Sequence, residues 1–330
     1  MKWSGLLSAA LWFFVTDCDK TLVFYDEHLA NEPMIKLPAS STGMTGYISP
    51  ETLTHLDEIS LDAPIVCVSG MRTSTMLQRQ KYFPMVNHWI TENGGRIFER
   101  GNVGGKSVFV ENEEYIKYVD DSITAKEWAI FNQFAEKLSD EGFDVDREDY
   151  KTMFRIKRNK YDDDNDNDNK SDGILTLASL EEQIPPELTF TYNLGHLDVQ
   201  VRGLGKYASV NWLISHLTGG SSIGGAKPLT KGRNGKNGEI DYIFMGDDDN
   251  DLEIASKARH AYIANPMSTS MSTFVEGEMA LVKENKDKVS RPHSLLVAPQ
   301  EGHAGSSALL KKVIEKIREL NSDGLSSGEL

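Results

Sequence analysis

Val15-Thr16-Asp17-Cys18-Asp19-Lys20-Thr21 is the stretch on which the reading of this chain turns. It closes an apolar run, residues 11–16, that reads as a buried strand. Asp17 and Asp19 then leave the strand end two residues apart, a spacing that points both side chains the same way. One carboxylate can attack phosphorus as a nucleophile while the other protonates the leaving oxygen and later takes a proton from water. An isolated Asp-x-Asp is more often a turn or a cap, so the surrounding pattern has to decide.

Outward from that stretch, short apolar runs alternate with helical patterns, which predicts α/β architecture with a parallel sheet. Ser49-Pro50 opens a helix with Leu53, Leu56 and Ile59 at helical spacing, Ser49 as cap and Pro50 at the first position. Residues 64–68, 85–91, 240–245 and 261–264 read as further buried strands, and helices are expected from about 73, over 206–217 and over 306–320. Between them, residues 106–110, 150–158, 187–192 and 196–201 alternate like strands, and 125–141 reads as a helix with Trp128, Phe131, Phe134 and Leu138 inward. This middle section reads as a smaller α+β unit.

Three further groups carry chemistry. Gly246-Asp247-Asp248-Asp249-Asn250-Asp251 follows the strand at 240–245, and so many carboxylates at a strand end repel one another unless a cation is present. Magnesium suits such a place, since it takes one or two carboxylates plus water and substrate oxygens. Gly246 is expected to let the backbone turn there. Ser69-Gly70-Met71-Arg72 lies between a strand and a helix start, where a hydroxyl and exposed amides suit a phosphoryl oxygen. Lys206 stands at a helix start, from which an ammonium can reach a phosphate as a point charge.

In order, these elements are Asp-x-Asp-x-Thr, a hydroxyl after the second strand, a lysine, and Gly-Asp-x-x-Asn-Asp, spread over positions 17 to 251. That series resembles the haloacid dehalogenase superfamily. Glu92-Asn93-Gly94-Gly95, an inserted α/β section and Gly-Lys-Tyr-Ala at 205–208 are similar to the branch whose cap lies between the second and third motifs. That branch includes sucrose-phosphate phosphatase, mannosyl-phosphoglycerate phosphatase and the Cof-type sugar phosphatases. The resemblance implies a Rossmann-like three-layer core from residues 1–114 and 203–330, with an inserted cap at 115–202.

It also implies roles. Asp17 would be nucleophile and magnesium ligand, and Asp19 the acid/base, its backbone carbonyl also on the metal. Asp247 would ligate magnesium and Asp251 support it. Thr21, Ser69, Gly70, Lys206 and Asn250 would serve the phosphate site, with Thr21 orienting the loop. Arg72, Glu92 and Asn93 are candidate substrate contacts, although Met71 separates Arg72 from its usual place in relatives. The implied activity is magnesium-dependent hydrolysis of a phosphate monoester through an aspartyl-phosphate, with a sucrose-phosphate-like sugar phosphate as the first substrate to try. The alternatives are a phosphotransferase or phosphomutase on the same fold, and a non-catalytic regulator.

The 330 residues carry a net charge of −15, with 39% hydrophobic and 26% charged residues. This is a globular profile, and its acidity argues against nucleic acid or an anionic membrane as partner. The expected partner is a small phosphorylated molecule. Cys18 and Cys67, the two cysteines, lie in apolar runs, so no disulfide framework is expected. Residues 6–15 after Lys2 resemble a short signal peptide, but cleavage would fall near Thr16, at the strand end itself. A cytoplasmic location is expected, with an organelle open if the N-terminus is incomplete. The polar run 162–172 reads as a solvated loop, since no register gives it the glycine and glutamate of a calcium loop. The Gly/Lys/Ser-rich run 219–238 reads as a surface insertion, and His303 as a solvated loop histidine.

Overall fold

The computed structural model describes residues 12–25, 33–40, 43–157, 180–218, 241–284 and 294–326. The acidic run 162–172, the Gly-rich run 219–238 and most of the signal-like segment lie outside the described residues.

The strands are β1 (Phe13–Thr16), β2 (Ile35–Lys36), β3 (Tyr47–Ile48), β4 (Ile65–Val68), β5 (His88–Thr91), β6 (Arg96–Val103), β7 (Lys106–Glu111), β8 (Val145–Asp146), β9 (Met153–Ile156), β10 (Leu188–Asn193), β11 (His196–Val201), β12 (Tyr242–Gly246), β13 (His260–Ile263) and β14 (Ser294–Val297). Eight of them form one sheet in the order β14-β13-β12-β1-β4-β5-β6-β7. The pairs from β14 through β5 are parallel, while β6 and β7 add an antiparallel edge.

The α-helices are α1 (Pro50–Asp62), α2 (Thr73–Arg79), α3 (Glu113–Ser122), α4 (Ala125–Asp140), α5 (Lys206–Thr218), α6 (Leu252–Lys257), α7 (Thr269–Glu284) and α8 (Gly302–Ser326). The start of α1 follows its sequence signal: the Ser49 hydroxyl accepts from the Thr52 amide at 2.9 Å, and Pro50 takes the first position.

Alternation along the central strands feeds two apolar layers. Phe13, Val15, Val66, Val68 and Phe244 face one side with Leu213 and Ile214 of α5 and Ile254 of α6. Phe14, Ile65, Cys67, Ile243 and Met245 face the other, with Leu56 and Ile59 of α1 and Leu310, Val313 and Ile317 of α8. Each fully buried Leu, Ile or Phe contributes about 2 kcal/mol, so these layers, rather than the polar site, hold the sheet in place. Cys18 and Cys67 are buried free thiols of the second layer.

A second, antiparallel sheet has the order β10-β11-β9-β8. Helix α4 covers it, with Phe131 and Phe134 packed on Phe154 at ring-centroid distances of 5.1 and 6.4 Å. Thr124 and Glu127 form a capping box at the start of α4. Helix α3 packs instead on the large sheet's side, through Tyr115 edge-on to Trp212 of α5 at 4.9 Å.

His303 differs from its expectation as a solvated loop residue. It sits in the first turn of α8, 3% exposed, with its ring edge-on to Phe24 at 6.4 Å. The glycines around it open the helix rather than a loop. Among the described residues no helix is long and apolar enough to cross a membrane.

Candidate active site

Asp17 follows β1, Asp247 follows β12, Ser69 follows β4 and Glu92 follows β5, so four neighbouring parallel strands deliver them to one sheet edge. Ligand sites of open α/β sheets form at such carboxyl ends. The placement of Asp17 is fixed by the ladder itself, since its amide donates to the Met245 carbonyl at 2.8 Å.

Asp17, Asp247 and Asp251 each offer a carboxylate oxygen, and these oxygens lie within 4.8 Å of one another. All three residues are buried. Lys206, the first residue of α5, donates to Asp17 Oδ1 at 2.6 Å, Asp251 Oδ1 at 2.7 Å and Asn250 Oδ1 at 3.0 Å. The Thr21 hydroxyl donates to Asp247 Oδ1 at 2.5 Å. The amides of Asp247 and Asp248 donate to Asp251 Oδ2, which folds the acidic loop back on itself.

Three carboxylates therefore gather in one place, and the ammonium contacts two of them. Burial pushes the Asp17 carboxyl well up; Lys206 opposes this, and Asp251 and Asp19 add to it. Asp247 is raised by burial and then by Asp17 and Asp251. Asp251 is raised by burial against the pull of Lys206. Burial works to lower Lys206, but Asp17 and Asp251 outweigh it and hold the ammonium above its ordinary range. A cluster of hard oxygen donors with too little positive charge fits a small divalent cation of the magnesium type. Asp19 is not one of the three: its Oδ1 accepts from Tyr25 Oη at 2.6 Å and from Arg79 Nη1 at 3.4 Å.

Residues around the acidic loop show why so many acids are tolerated. Asp248 caps the turn at 249–251 and accepts from the Leu194 amide of the β10–β11 hairpin at 3.3 Å. Asp249 accepts from the Ser268 hydroxyl. Gly246 does not take a left-handed backbone as expected for a turn; the need is for space, since a Cβ there would lie 2.4 Å from Asp251 Oδ2. Gly70 is constrained in the same way: a Cβ would lie 2.2 Å from Asn193 Nδ2. Ser69 is 1% exposed, and its hydroxyl accepts from the Met71 amide at 3.1 Å.

Several residues expected at the site have partners of their own within the protein. Glu92 is fully enclosed, with φ at +55°, and one carboxylate oxygen accepts from the Lys151 and Thr152 amides and the Thr152 hydroxyl at 2.8–2.9 Å. It ties the large sheet to the segment before β9 and has no surface left for a substrate. Asn93, with φ at +50°, donates to Asp198 and accepts from Asn250, so it too is spent within the protein. The Thr21 hydroxyl is committed to Asp247 rather than open to a phosphate oxygen. Arg72 pairs with Asp146 and stacks its guanidinium 4.9 Å from the Tyr150 ring, but it still lines the cleft beside Asp19.

The second sheet supplies residues that the sequence did not flag. Asp198, 1% exposed, accepts from Asn93, from Asn193 and twice from Arg155. Together with Asn250 this makes a continuous chain of hydrogen bonds from Lys206 to Arg155. Arg79 of α2 was also missed, since a basic residue in a helix's last turn ordinarily points to water.

No family model matches the chain, and no curated protein matches it in sequence. Solved structures do match in shape. The crystal structure of Thermoplasma acidophilum 0175 aligns with a TM-score of 0.51 at 11% identity, covering 92% of this chain and 99% of that one. A structure from work on a trigonal-bipyramidal intermediate in a phosphoryl-transfer superfamily aligns at 0.52 with 13% identity, covering 92% and 98%. A sugar phosphatase of haloacid dehalogenase subclass IIB aligns at 0.51 with 12% identity, also covering 92% and 98%. The chain shares the fold of these structures, among them the haloacid dehalogenase subclass IIB sugar phosphatase. In this fold Asp17, Ser69 and Asp247 follow neighbouring strand ends, and Asp17, Asp247, Asp251 and Lys206 meet.

Proposed function

We propose that the chain is a magnesium-dependent phosphatase acting on a phosphate monoester, in the class of sugar phosphates, with residues 115–202 as the cap over the site. The observation that supports it most is the contact of Lys206 with both Asp17 and Asp251 inside a buried triad of carboxylates. Asp17 and Asp247, with Asp251 in support, would hold magnesium, which would supply a Lewis acid to offset charge on the phosphoryl oxygens.

The residues divide the work. A carboxylate oxygen of Asp17 attacks phosphorus, and the bond from phosphorus to the ester oxygen breaks. Asp19 gives its proton to that oxygen, so the alcohol leaves neutral. The aspartyl-phosphate is then attacked by water; Asp19 takes the water's proton, and phosphate leaves as the Asp17 carboxylate returns. Lys206, Ser69 and the Gly70 amide face charge on the equatorial oxygens, and Asn250 positions Lys206. Thr21 holds Asp247 in place.

The test is phosphate release from an aryl phosphate and a panel of sugar phosphates, with magnesium or with chelator. Release that depends on magnesium and disappears in Asp17→Asn supports the assignment. Release that survives chelation, or an Asp17→Asn variant as active as the wild type, would overturn it.

A further inference from the structure

We propose that the cleft beside Asp19 is a subsite for a second anionic group, carried by the alcohol part of the substrate and held by Arg79. The inference rests on the phosphatase reading, because it takes Asp19 to face the leaving group.

The cleft is lined by Asp19, Tyr25, Arg72, Arg79, Tyr150 and Arg155, among others. Three guanidiniums share this small space, and two have an acid of their own. Arg72 pairs with Asp146, both side chains being 4% exposed. Arg155 makes two hydrogen bonds to Asp198, at 2.6 and 2.8 Å. Arg155 and Asp198 both belong to the second sheet, while Arg72, just before α2, reaches across to Asp146 of that sheet.

Arg79 is different. Its side chain is 1% exposed, so water does not satisfy it. Nε donates to the Pro38 carbonyl at 3.3 Å, and Nη1 reaches Asp19 only at 3.4 Å, on an oxygen that already accepts from Tyr25. Nη2 is enclosed and has no acceptor among the described residues. A desolvated guanidinium with an empty donor is costly unless an acceptor arrives. The planar fork of arginine matches a carboxylate or a phosphate, which supplies both the acceptor oxygen and a second negative charge beside the one at 3.4 Å on Asp19. A sugar hydroxyl would supply the first and not the second.

Position assigns this group to the leaving alcohol. The groups assigned to the transferred phosphoryl, Lys206 and the Ser69–Gly70 turn, do not line this cleft, while Arg79 contacts Asp19 and not the triad. The substrate class is therefore a phosphorylated sugar that also bears a carboxylate or a further phosphate.

Matched pairs test this with the full chain and magnesium: glucose phosphate against phosphogluconate for the carboxylate arm, and fructose monophosphate against fructose bisphosphate for the phosphate arm. The wild type is expected to favour the doubly anionic member of one arm by about tenfold or more in kcat/KM. The arm that shows the preference names the group. Arg79→Met should bring that ratio close to unity, and Arg79→Lys should keep part of it. A wild-type ratio at or below unity in both arms overturns the proposal. So does an Arg79→Met variant that melts like the wild type and keeps the ratio. Should Arg79→Met fail to fold, the wild-type ratio and Arg79→Lys decide. Release of aryl phosphate without any anionic preference sinks the subsite and leaves the phosphatase standing. No release from any ester sinks the phosphatase reading, and the subsite with it.

Discussion

The ammonium of Lys206 lies 2.6 Å from a carboxylate oxygen of Asp17, although 189 positions separate them in sequence. Both side chains are almost fully buried, at 2% and 7% exposure. The contact joins the first residue of α5 to the end of the central strand.

Removing that ammonium leaves Asp17 and Asp251 without the counter-charge they contact, beside a third buried carboxylate, Asp247. Lys206→Met is expected to lower stability by about 3 kcal/mol when metal is chelated, read from urea denaturation. Phosphate release should fall by about a hundredfold or more, because a fixed charge on the reacting group is lost. Equal stability of variant and wild type in chelator would contradict the burial argument.

The raised carboxyls give a pH dependence of definite sign. Asp17, Asp247 and Asp251 sit above the ordinary 3.8 in the folded chain. Their stabilising contribution is thus full below 3.8 and is lost as pH rises through the folded values. Without metal, stability from these groups should decline with rising pH. With magnesium the decline should be offset, because the cation favours the ionised form. Urea midpoints with and without chelator should therefore diverge as pH rises, and a constant gap would count against a metal at this triad.

Glu92 offers a check on its corrected place. Glu92→Ala strips three donors around Thr152 of their acceptor and should cost about 3 kcal/mol. Glu92→Gln keeps one acceptor oxygen and should cost about 1 kcal/mol. The KM of Glu92→Gln for an aryl phosphate should stay close to that of the wild type; a large rise would restore Glu92 as a substrate contact.

Gly70 tests how closely the second sheet approaches. In Gly70→Ala the new methyl meets Asn193 Nδ2 at 2.2 Å and Asn93 Oδ1 at 2.8 Å. The hairpin has to retreat, and phosphate release should fall. Adding Asn193→Ala to Gly70→Ala should restore part of it. No recovery would place the damage in the backbone of the turn instead.

How much of this was legible in the sequence follows from where each residue stands. Asp17, Ser69 and Asp247 were readable because each ends an apolar run, and a polar residue just past a buried strand is conspicuous. Lys206 was readable through its place in the motif series, but its burial was not, since a lysine at a helix start is ordinarily solvated. Asp198 and Gln200 were hidden by β11's own alternation. They occupy the positions that a half-buried strand gives to water, yet they are 1% and 3% exposed, Asp198 being enclosed by Asn93, Asn193 and Arg155. Arg79 was hidden by distance: only the fold brings it beneath Gly46 and against Asp19, and neither neighbour lies within a helical turn of it.

The hydrogen bonds from the Leu194 amide to Asp248 and from Asn93 to Asp198 have one more consequence. They join groups anchored in the parallel strands to groups carried by the antiparallel ones, so separating the two sheets would break them while the ladder that fixes Asp17 stays intact. For the proposed phosphatase, release of the product and making of the bond would thus depend on separate parts of the chain. A tailor-made enzyme could receive a different outer sheet and keep its reaction, provided the graft again presented an acceptor to Asn93 and an amide to Asp248.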